Sequence, residues 1–185
     1  LERTGASVIP FGVGNSKQLI RTIRELEITA ISCTPSYPIL LEQVIEENFP
    51  ELTPAALGLQ LGLFGGEAGL DSDSFRDRLE ATWGFKARNA NYGVSDMLCN
   101  FAGQCKHSND LHFVAPDLLY PELIDPDLGT PLPWKAGIEG ELVLTHLARK
   151  CQPLARFRTA DVIAITNTEP CPCGRTVPRF RVMGR

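Results

Sequence analysis

The sequence lacks a long apolar run. No stretch of about 18 consecutive apolar residues occurs in it, whereas a helix that crosses a bilayer needs about 20. Residues 1–5 also lack the basic and then apolar order of a secretory signal peptide. We therefore expect a cytoplasmic protein with no membrane partner.

A basic stripe is lacking as well. The chain has 18 Lys and Arg residues against 22 Asp and Glu residues, and its formal net charge is −4. Nucleic-acid binding depends on clustered positive charge that neutralises phosphates. The composition therefore argues against a nucleic-acid partner.

The sequence also lacks an initial Met and any repeated or low-complexity segment. Position 1 is Leu rather than Met, and the chain ends at Gly184-Arg185. The sequence contains neither an internal repeat nor a low-complexity segment. We expect an internal piece of a longer protein. Its 185 residues are enough to bury a core without disulfides.

Cysteine is present, but its placement does not favour disulfides. Cys171 and Cys173 are too close to bridge each other easily, and Cys33 lies in an apolar run typical of a strand. Metal binding in a reducing compartment is the better interpretation. Cys33, Cys99 and Cys151 have no partner by pattern, and we expect them to be plain buried residues.

The first half of the chain alternates between strand-like and helix-like patterns. The predicted strands are 6–10, 28–33, 57–64 and 85–90, and the predicted helices are 17–26, 39–47 and 71–83. Ser16 is the expected N-cap of the first helix, and Asp71 or Ser72 that of the third. Because the strands are nearly all apolar, we predict an α/β fold with a parallel sheet covered by helices.

The spacing of apolar residues changes near residue 97, where the helical periodicity ends. Short strand-like runs separated by turn formers follow at 112–114, 118–124, 140–147, 154–158, 162–165 and 179–183. This pattern is typical of a small, mainly antiparallel β subdomain. We therefore predict two parts, an α/β/α subdomain over 1–96 and a β-rich subdomain over 97–185.

Three loops follow predicted parallel strands, where ligands collect in such sheets. They are Thr34-Pro35-Ser36-Tyr37, Gly65-Gly66-Glu67 and Asn91-Tyr92-Gly93-Val94-Ser95-Asp96. Each loop alone reads as an ordinary turn. Because all three are expected at one edge of one sheet, together they predict a binding site.

Several of these motifs resemble those of the adenylate-forming superfamily. The segments concerned are 91–96, Arg156-Phe157-Arg158-Thr159-Ala160-Asp161 and Val182-Met183-Gly184-Arg185. The resemblance is narrowed to the phenylacetate–CoA ligase family by three further segments, which are 34–37, 65–67 and Cys173-Gly174-Arg175-Thr176. The resemblance covers nearly the whole chain, in the family's order. It implies an ATP-dependent ligase that converts an aryl or related carboxylate to an acyl-adenylate and then to a CoA thioester.

The resemblance also implies site residues. The nucleotide would contact Gly65, Gly66, Glu67, Asn91, Tyr92, Gly93, Ser95, Asp161 and Arg185, and Asp96 would bind Mg²⁺. The ring of Tyr92 suits stacking on adenine, and the two carboxylate oxygens of Asp161 suit two ribose hydroxyls. Tyr37, Phe64 and Gly65 are the acyl-pocket candidates. For Phe64, the alternative is a plain core residue that ends its strand.

The sequence departs from the family pattern at two places. Asp96 stands where relatives carry Glu, so its carboxylate reaches one methylene less far toward a metal. Ala68-Gly69-Leu70 stands where relatives tend to carry Pro-Trp. This second change is expected to reshape the acyl pocket, so phenylacetate itself does not follow from the resemblance.

A structural zinc site is the second chemical prediction. Cys105, His112, Cys171 and Cys173 form a Cys-x6-His and Cys-x-Cys set, and three thiolates with one imidazole make a closed tetrahedral site. His107 is the rival to His112, which resembles the histidine of the family's Gly-Leu-His run. The alternative is four unrelated free side chains. His146 has no nucleophile beside it by pattern, so we predict a structural role for it.

The expected cofactors and partners are ATP or AMP, Mg²⁺, CoA, a carboxylic acid and zinc, with a homodimer as a candidate assembly. The chain has neither a Ser/Thr/Gly-rich phosphate loop ending in Lys nor the family's lid lysine, and alone it is expected to be inactive. Two alternatives remain. One is adenylation of another acid or AMP transfer to a deazaflavin cofactor; the other is a zinc-stapled nucleotide-binding or interaction module without catalysis.

Overall fold

The computed structural model describes residues 2–67, 69–70 and 72–185, without the side chain of Arg3. Among these residues there are three α-helices and ten strands. In chain order they are α1 Ser16–Glu25, β1 Ala30–Cys33, α2 Tyr37–Asn48, β2 Leu61–Gly65, α3 Asp73–Trp83, β3 Lys86–Val94, β4 Leu98–Cys105, β5 Ser108–Phe113, β6 Leu119–Ile124, β7 Pro131–Leu132, β8 Glu139–His146, β9 Phe157–Asn167 and β10 Arg179–Gly184. Short 3-10 turns occupy Glu2–Thr4 and Pro54–Leu57.

All ten strands join one mixed sheet in the order β1-β2-β3-β4-β5-β10-β9-β8-β6-β7. Strands β1, β2 and β3 run parallel, as their helical crossovers require. From β3 onward every pairing is antiparallel. The predicted α/β class, with a parallel part followed by an antiparallel part, is confirmed.

Strand β3 joins two separate hydrophobic cores. The first core is made by the helices and the parallel strands, and its members lie between Ile20 and Ala87. The second is made by the antiparallel strands and extends from Met97 to Phe180, with Tyr92 and Val94 packed against it. The sheet itself is continuous through β3, and the division at residues 96 and 97 stays a prediction.

Side-chain caps begin α1 and α3, whereas α2 has none. Asn15 caps α1, because its Oδ1 accepts the N–H of Gln18 over 3.1 Å. The predicted cap Ser16 is instead the first helical residue. Ser72 caps α3 by accepting the N–H of Phe75, and the alternative cap Asp71 lies outside the described residues. No helix in the described part of the chain is long and apolar enough to cross a membrane.

Several predicted strand boundaries are wrong. Residues 6–10 form no strand and are exposed, and residues 54–57 form a 3-10 turn before β2. Strand β3 continues through Tyr92 to Val94 because these residues pair with β4. The sequence analysis missed β4, in which apolar and polar residues do not alternate cleanly. Residues 157–158 of the predicted run 154–158 belong with residues 162–165 to one strand, β9, which is interrupted by a bulge, and residues 154–156 lie outside it.

Phe180 tests the second core. It lies in β10 with 0% of its surface exposed, and its ring centroid lies 6.0 Å from that of Tyr92. We expect Phe180→Ala to lower the free energy of unfolding by about 3–5 kcal/mol, through lost burial and a cavity. Urea denaturation measures the change.

Leu128→Ala is the matched control, because Leu128 is 76% exposed. Its effect should stay within about 0.5 kcal/mol. A loss below about 1 kcal/mol for Phe180→Ala would show that the second core does not depend on this ring.

Candidate functional site

The three predicted loops meet at the carboxyl edge of the parallel strands. The backbone N–H of Ser36 donates to Oε2 of Glu67 over 3.3 Å, which joins the loops after β1 and β2. A Cβ added to Gly65 would lie 2.5 Å from Cβ of Asn91, so β2 and β3 touch at this point. Gly66 has φ +83°, a left-handed conformation that glycine adopts without steric cost. The sheet edge therefore brings together residues 34–37, 65–67 and 91.

Tyr92 points away from that edge toward the second core. Its hydroxyl donates to Oδ2 of Asp161 over 2.9 Å, and its ring makes edge contacts with Phe101 and Phe180 at centroid distances of 5.1 and 6.0 Å. Burial, and next the negative charge of Asp161, raise the pKa of Tyr92 far above its usual range. Tyr92 is therefore a neutral hydrogen-bond donor at neutral pH.

Asp161 also binds Arg185. The Nε of Arg185 donates to Oδ1 of Asp161 over 2.7 Å, and this hydrogen bond raises the pKa of Arg185. Both carboxylate oxygens of Asp161 thus have a protein partner, although each oxygen has further lone pairs that can accept a ligand hydroxyl. The structure brings together three of the residues predicted to bind the nucleotide.

Ser95 and Asp96 lie in the exposed turn between β3 and β4. A hydrogen bond of 3.0 Å from the N–H of Met97 to the carbonyl oxygen of Val94 closes this turn. Arg149 donates to the carbonyl oxygen of Asp96 over 2.9 Å, and this bond anchors the turn. The Asp96 carboxylate is exposed. A hard oxygen ligand in this position is accessible to a hydrated Mg²⁺ ion.

The acyl-pocket candidates differ in position. Phe64 is 0% exposed and packs in the first core against Phe85, at a centroid distance of 5.7 Å. This is the position expected of a core residue that ends its strand. Tyr37 begins α2, is half-buried, and its hydroxyl lies 3.0 Å from Oγ of Ser16. Ala68, where the family pattern changes, lies outside the described residues.

Four predicted metal ligands converge between the β4–β5 hairpin and the loop before β10. One ligand atom from each of Cys105, His112, Cys171 and Cys173 lies within 4.8 Å of the others. The Sγ atoms of Cys105 and Cys171 are 3.7 Å apart, and Sγ of Cys173 lies 3.8 Å from Nε2 of His112. Zn–S bonds of about 2.3 Å in a tetrahedron place sulfur atoms about 3.8 Å apart. The separation of Cys105 and Cys171 therefore matches that of two ligands of one tetrahedral zinc ion, and the other two ligand atoms lie nearby.

Nearby N–H groups support thiolate charge at this cluster. The backbone N–H of His107 donates to Sγ of Cys105 over 3.3 Å, and Nη1 of Arg175 donates to Sγ of Cys173 over 3.5 Å. Hydrogen bonding from the Arg175 backbone, more than any other cause, lowers the pKa of Cys173 to about 7. His107 contributes its backbone rather than its ring, and the ring within the cluster is that of His112.

His112 is suited to be a neutral ligand. It is 0% exposed, and burial, followed by the charges of Arg175 and Arg179, lowers its pKa. A metal ligand must be unprotonated on the binding nitrogen. Within the described residues, its Nδ1 atom is buried without a hydrogen-bond partner.

The remaining cysteines and His146 have other environments. Cys99 and Cys151 are exposed, so the expectation that they are buried is wrong. Burial, with the charge of Glu67, raises the pKa of the half-buried Cys33 to about 12. His146 accepts the N–H of Leu154 at Nδ1 over 2.9 Å and contacts the carbonyl oxygen of Met97 through Nε2 over 3.0 Å. Both contacts agree with the predicted structural role.

One buried polar residue in β8 was not predicted from the sequence. Glu141 is 3% exposed, and its carboxylate contacts Arg158 and the backbone N–H of Ala160, inside the segment that carries Asp161. A signal was present in the sequence, because Glu141 directly precedes the apolar run Leu142-Val143-Leu144. A buried charge requires partners, and such a residue is worth examining for that reason.

Comparison with known proteins identifies relatives along the whole chain. No family model matches the chain. The phenylacetate-coenzyme A ligase of Thermus thermophilus is 32% identical over 188 residues, which cover 100% of this chain and 40% of that protein. The protein of the same name from Escherichia coli is 35% identical over 188 residues, with the same coverage. The chain therefore spans about two fifths of the length of these curated relatives.

Solved structures agree in fold. A 2-hydroxyisobutyryl-CoA ligase in complex with 2-HIB-AMP and CoA, in the thioesterification state, superposes with a TM-score of 0.87 at 32% identity. That match covers 100% of this chain and 39% of the ligase. A long-chain-fatty-acid-CoA ligase from Archaeoglobus fulgidus superposes with a TM-score of 0.62 at 15% identity and shows the shared fold alone.

Gly93 provides a test of the hairpin beside Tyr92. A Cβ at this position would lie 2.1 Å from the carbonyl oxygen of Cys99, a backbone atom that cannot move freely. We expect Gly93→Ala to force β3 away from β4 and to lower the free energy of unfolding by about 1–3 kcal/mol. Thermal or urea unfolding measures the loss.

Gly103→Ala is the control within the same hairpin. Its added Cβ would lie 3.5 Å from the nearest atom, which is ordinary contact. We expect this variant to retain most of the stability. Equal effects at the two glycines would contradict the close approach of β4 to Gly93.

Proposed function

We propose that this chain, which belongs to the phenylacetate–CoA ligase family, supplies the nucleotide-contacting wall of an ATP-dependent, AMP-forming acid–CoA ligase. The observation that carries the proposal is that Tyr92 and Arg185 both bond to the carboxylate of Asp161, although the three residues come from three separate motifs. Such a preorganised acceptor, flanked by a donor and a cation, suits the hydroxyl groups and the charge of a nucleotide.

The reaction proposed for the whole protein has two steps. A carboxylate oxygen of the acid attacks the α-phosphorus of ATP, and pyrophosphate leaves with the electrons of the broken P–O bond. The CoA thiol, after losing its proton, then attacks the acyl carbon, and AMP leaves. Charge on the transferring phosphoryl group requires cations and positioned donors, and Asp96 is the proposed ligand of the Mg²⁺ ion.

The acid is proposed only by class. The curated relatives are named for phenylacetate, whereas the solved 2-hydroxyisobutyryl-CoA ligase is in complex with 2-HIB-AMP. We propose an aryl or related small carboxylate as the substrate. Tyr37 and Gly65, at the carboxyl edge of the parallel strands, are the residues proposed to contact it. The free thiols in the chain are consistent with the proposed cytoplasmic location, because that compartment keeps cysteine reduced.

Zinc is proposed as a structural ion held by Cys105, His112, Cys171 and Cys173. Three thiolates and an imidazole leave no open position for water, so the ion has no part in the chemistry. It would join the β4–β5 hairpin to the loop before β10, the strand that Arg185 follows. Zinc affinity would thus contribute to the stability of the wall that holds Asp161.

Asp161→Asn tests the proposed nucleotide contact. The amide keeps the shape of the carboxylate but loses its charge and one acceptor, and a hydrogen bond to a charged group contributes about 1.5–3 kcal/mol. We expect AMP affinity of the intact protein, measured by calorimetry, to fall about 10- to 100-fold. The unfolding temperature should change little in comparison.

Asp110→Asn is the matched control for that measurement. Asp110 makes a comparable pair with Nε of Arg181, 2.6 Å away, and accepts from Thr166. This Asp–Arg pair shares no residue with the Tyr92, Asp161 and Arg185 group. Unchanged AMP affinity in Asp161→Asn, or no AMP binding by the parent protein, would contradict the proposed function and favour an interaction module.

Metal analysis tests the zinc proposal. We expect about one zinc ion per chain in the purified protein, and its loss in Cys173→Ser or Cys105→Ser, because a hydroxyl is a far weaker ligand than a thiolate. Cys33→Ser is the control and should retain the ion, since Cys33 lies outside the cluster. A protein that is fully folded and free of zinc when grown with zinc would overturn this prediction.

A further inference from the structure

The segment that carries Asp161 is bulged. Between β8 and β9, Glu141 faces Val162 and Val143 faces Arg158, so three residues of β9 lie opposite the single residue Leu142. Within this bulge Ala160 has φ +59°. Residues other than glycine are disfavoured in the left-handed region. Something outside the bulge must therefore stabilise this backbone conformation.

Glu141 supplies that stabilisation from the neighbouring strand. Its Oε1 accepts the backbone N–H of Ala160 over 3.0 Å, and its Oε2 accepts from Nε of Arg158 over 2.9 Å. The carboxylate therefore bonds both to the residue in the left-handed conformation and to a residue two positions before it. Because Glu141 is 3% exposed, these bonds must replace the water that it loses on folding.

Arg158 is held in turn by a second contact. Its Nη2 donates to the carbonyl oxygen of Pro126 over 2.7 Å, in the turn between β6 and β7. Hydrogen bonding to Arg158 lowers the pKa of Glu141, so the carboxylate is charged at neutral pH. Glu141 is therefore fixed on both sides and is a rigid acceptor for the bulge.

Thr159 completes the attachment of the bulge to β8. Its Oγ1 donates to the carbonyl oxygen of Leu142 over 2.7 Å and accepts the N–H of Asp161 over 3.1 Å. The peptide groups on both sides of Ala160 are thus hydrogen bonded. The next side chain is that of Asp161, with its carboxylate between Tyr92 and Arg185.

We propose that Glu141 is a positioning residue that acts through the N–H of Ala160 to aim the Asp161 carboxylate at the hydroxyl of Tyr92. This positioning role of Glu141 does not depend on the proposed function. Only its consequence, that Glu141 supports nucleotide affinity, rests on the proposal that Asp161 binds the ribose.

The hydroxyl of Tyr92 provides a readout that needs no ligand. The readout is the ¹³C NMR chemical shift of Tyr92 in the intact protein labelled with ¹³Cζ-tyrosine. Tyr92→Phe identifies the Tyr92 signal, and Asp161→Asn shows its chemical shift when the carboxylate is absent. We expect Glu141→Leu to move the Tyr92 signal in the same direction as Asp161→Asn. The signals of Tyr37 and Tyr120 should stay in place, because neither residue contacts this group.

Two variants separate positioning from general damage. Glu141→Gln retains an oxygen that can accept the N–H of Ala160, and we expect its Tyr92 signal to stay near that of the parent protein. Glu122→Leu removes another Glu–Arg pair, since Glu122 lies 3.3 Å from Nε of Arg156, but it does not contact the bulge. Its Tyr92 signal should not move.

Affinity for AMP provides the second readout. We expect Glu141→Leu to weaken AMP binding about tenfold, and the double variant with Asp161→Asn to bind no more weakly than Asp161→Asn alone, because the two residues act through one contact. A Tyr92 signal that does not move in Glu141→Leu overturns the inference, whatever happens to affinity. A moved signal with AMP affinity unchanged in both single variants supports the positioning role and overturns the proposed nucleotide function.

Glu141→Asp covers the case in which Glu141→Leu does not fold. Aspartate keeps the charge opposite Arg158 but is one methylene shorter, so it cannot bond both Arg158 and the N–H of Ala160 as Glu141 does. We expect a folded protein whose Tyr92 signal has moved. An unmoved signal in this variant also overturns the inference.

Discussion

The second half of the structure depends on one constraint, which is that the antiparallel part of the sheet must curl until Tyr92 and Asp161 come within hydrogen-bond distance. Tyr92 lies in β3 and Asp161 in β9, and three strands separate these two in the sheet. Neighbouring strands lie about 4.8 Å apart, so four steps across a flat sheet would span about 19 Å. A separation of 2.9 Å between the two side chains therefore requires the antiparallel part to curl on itself. The side chains of the second core, including Phe101 and Phe180, fill the inside of that curl, and the site exists only while the curl is closed.

The proposed zinc ion would lie at a short strand pairing within this curl. Strands β5 and β10 are joined at only two register positions, Arg179 with His112 and Phe180 with Leu111, whereas β6 and β8 are joined at six. The metal-ligand set has members on both sides of the short pairing, since Cys105 and His112 belong to the hairpin and Cys171 and Cys173 to the loop before β10. A closed tetrahedral ion would hold this pairing where hydrogen bonds are few. The proposed ion would therefore act on the stability of the fold and not on chemistry.

The sequence predicted the elements with strong local signals and missed those set by distant pairing. The three helices, the parallel strands β1 and β2 and the metal-ligand group followed from apolar periodicity, turn residues and ligand chemistry. The extension of β3 through Tyr92 did not, because it depends on pairing with β4, and β4 has no clean alternation. The bulge at Ala160 was also beyond local reasoning, since it is stabilised by Glu141 from another strand. Phe64 shows the same limit, because only packing distinguishes a core aromatic residue from one that faces a ligand.

The two oxygens of Asp161 are not equivalent, and this bears on how a nucleotide would bind. Oδ2 is bonded to the hydroxyl of Tyr92, whose ring is wedged against two phenylalanines. Oδ1 is bonded to Arg185, whose side chain is 71% exposed and follows the end of β10. An ion pair with an exposed arginine contributes little stability because water screens it, whereas the partly buried Tyr92 packs against the core and cannot withdraw without disturbing it. Under the proposed function, an incoming ribose would therefore share or displace Arg185 first. The arginine would then be free to contact the nucleotide, while Tyr92 and Glu141 keep the carboxylate in place.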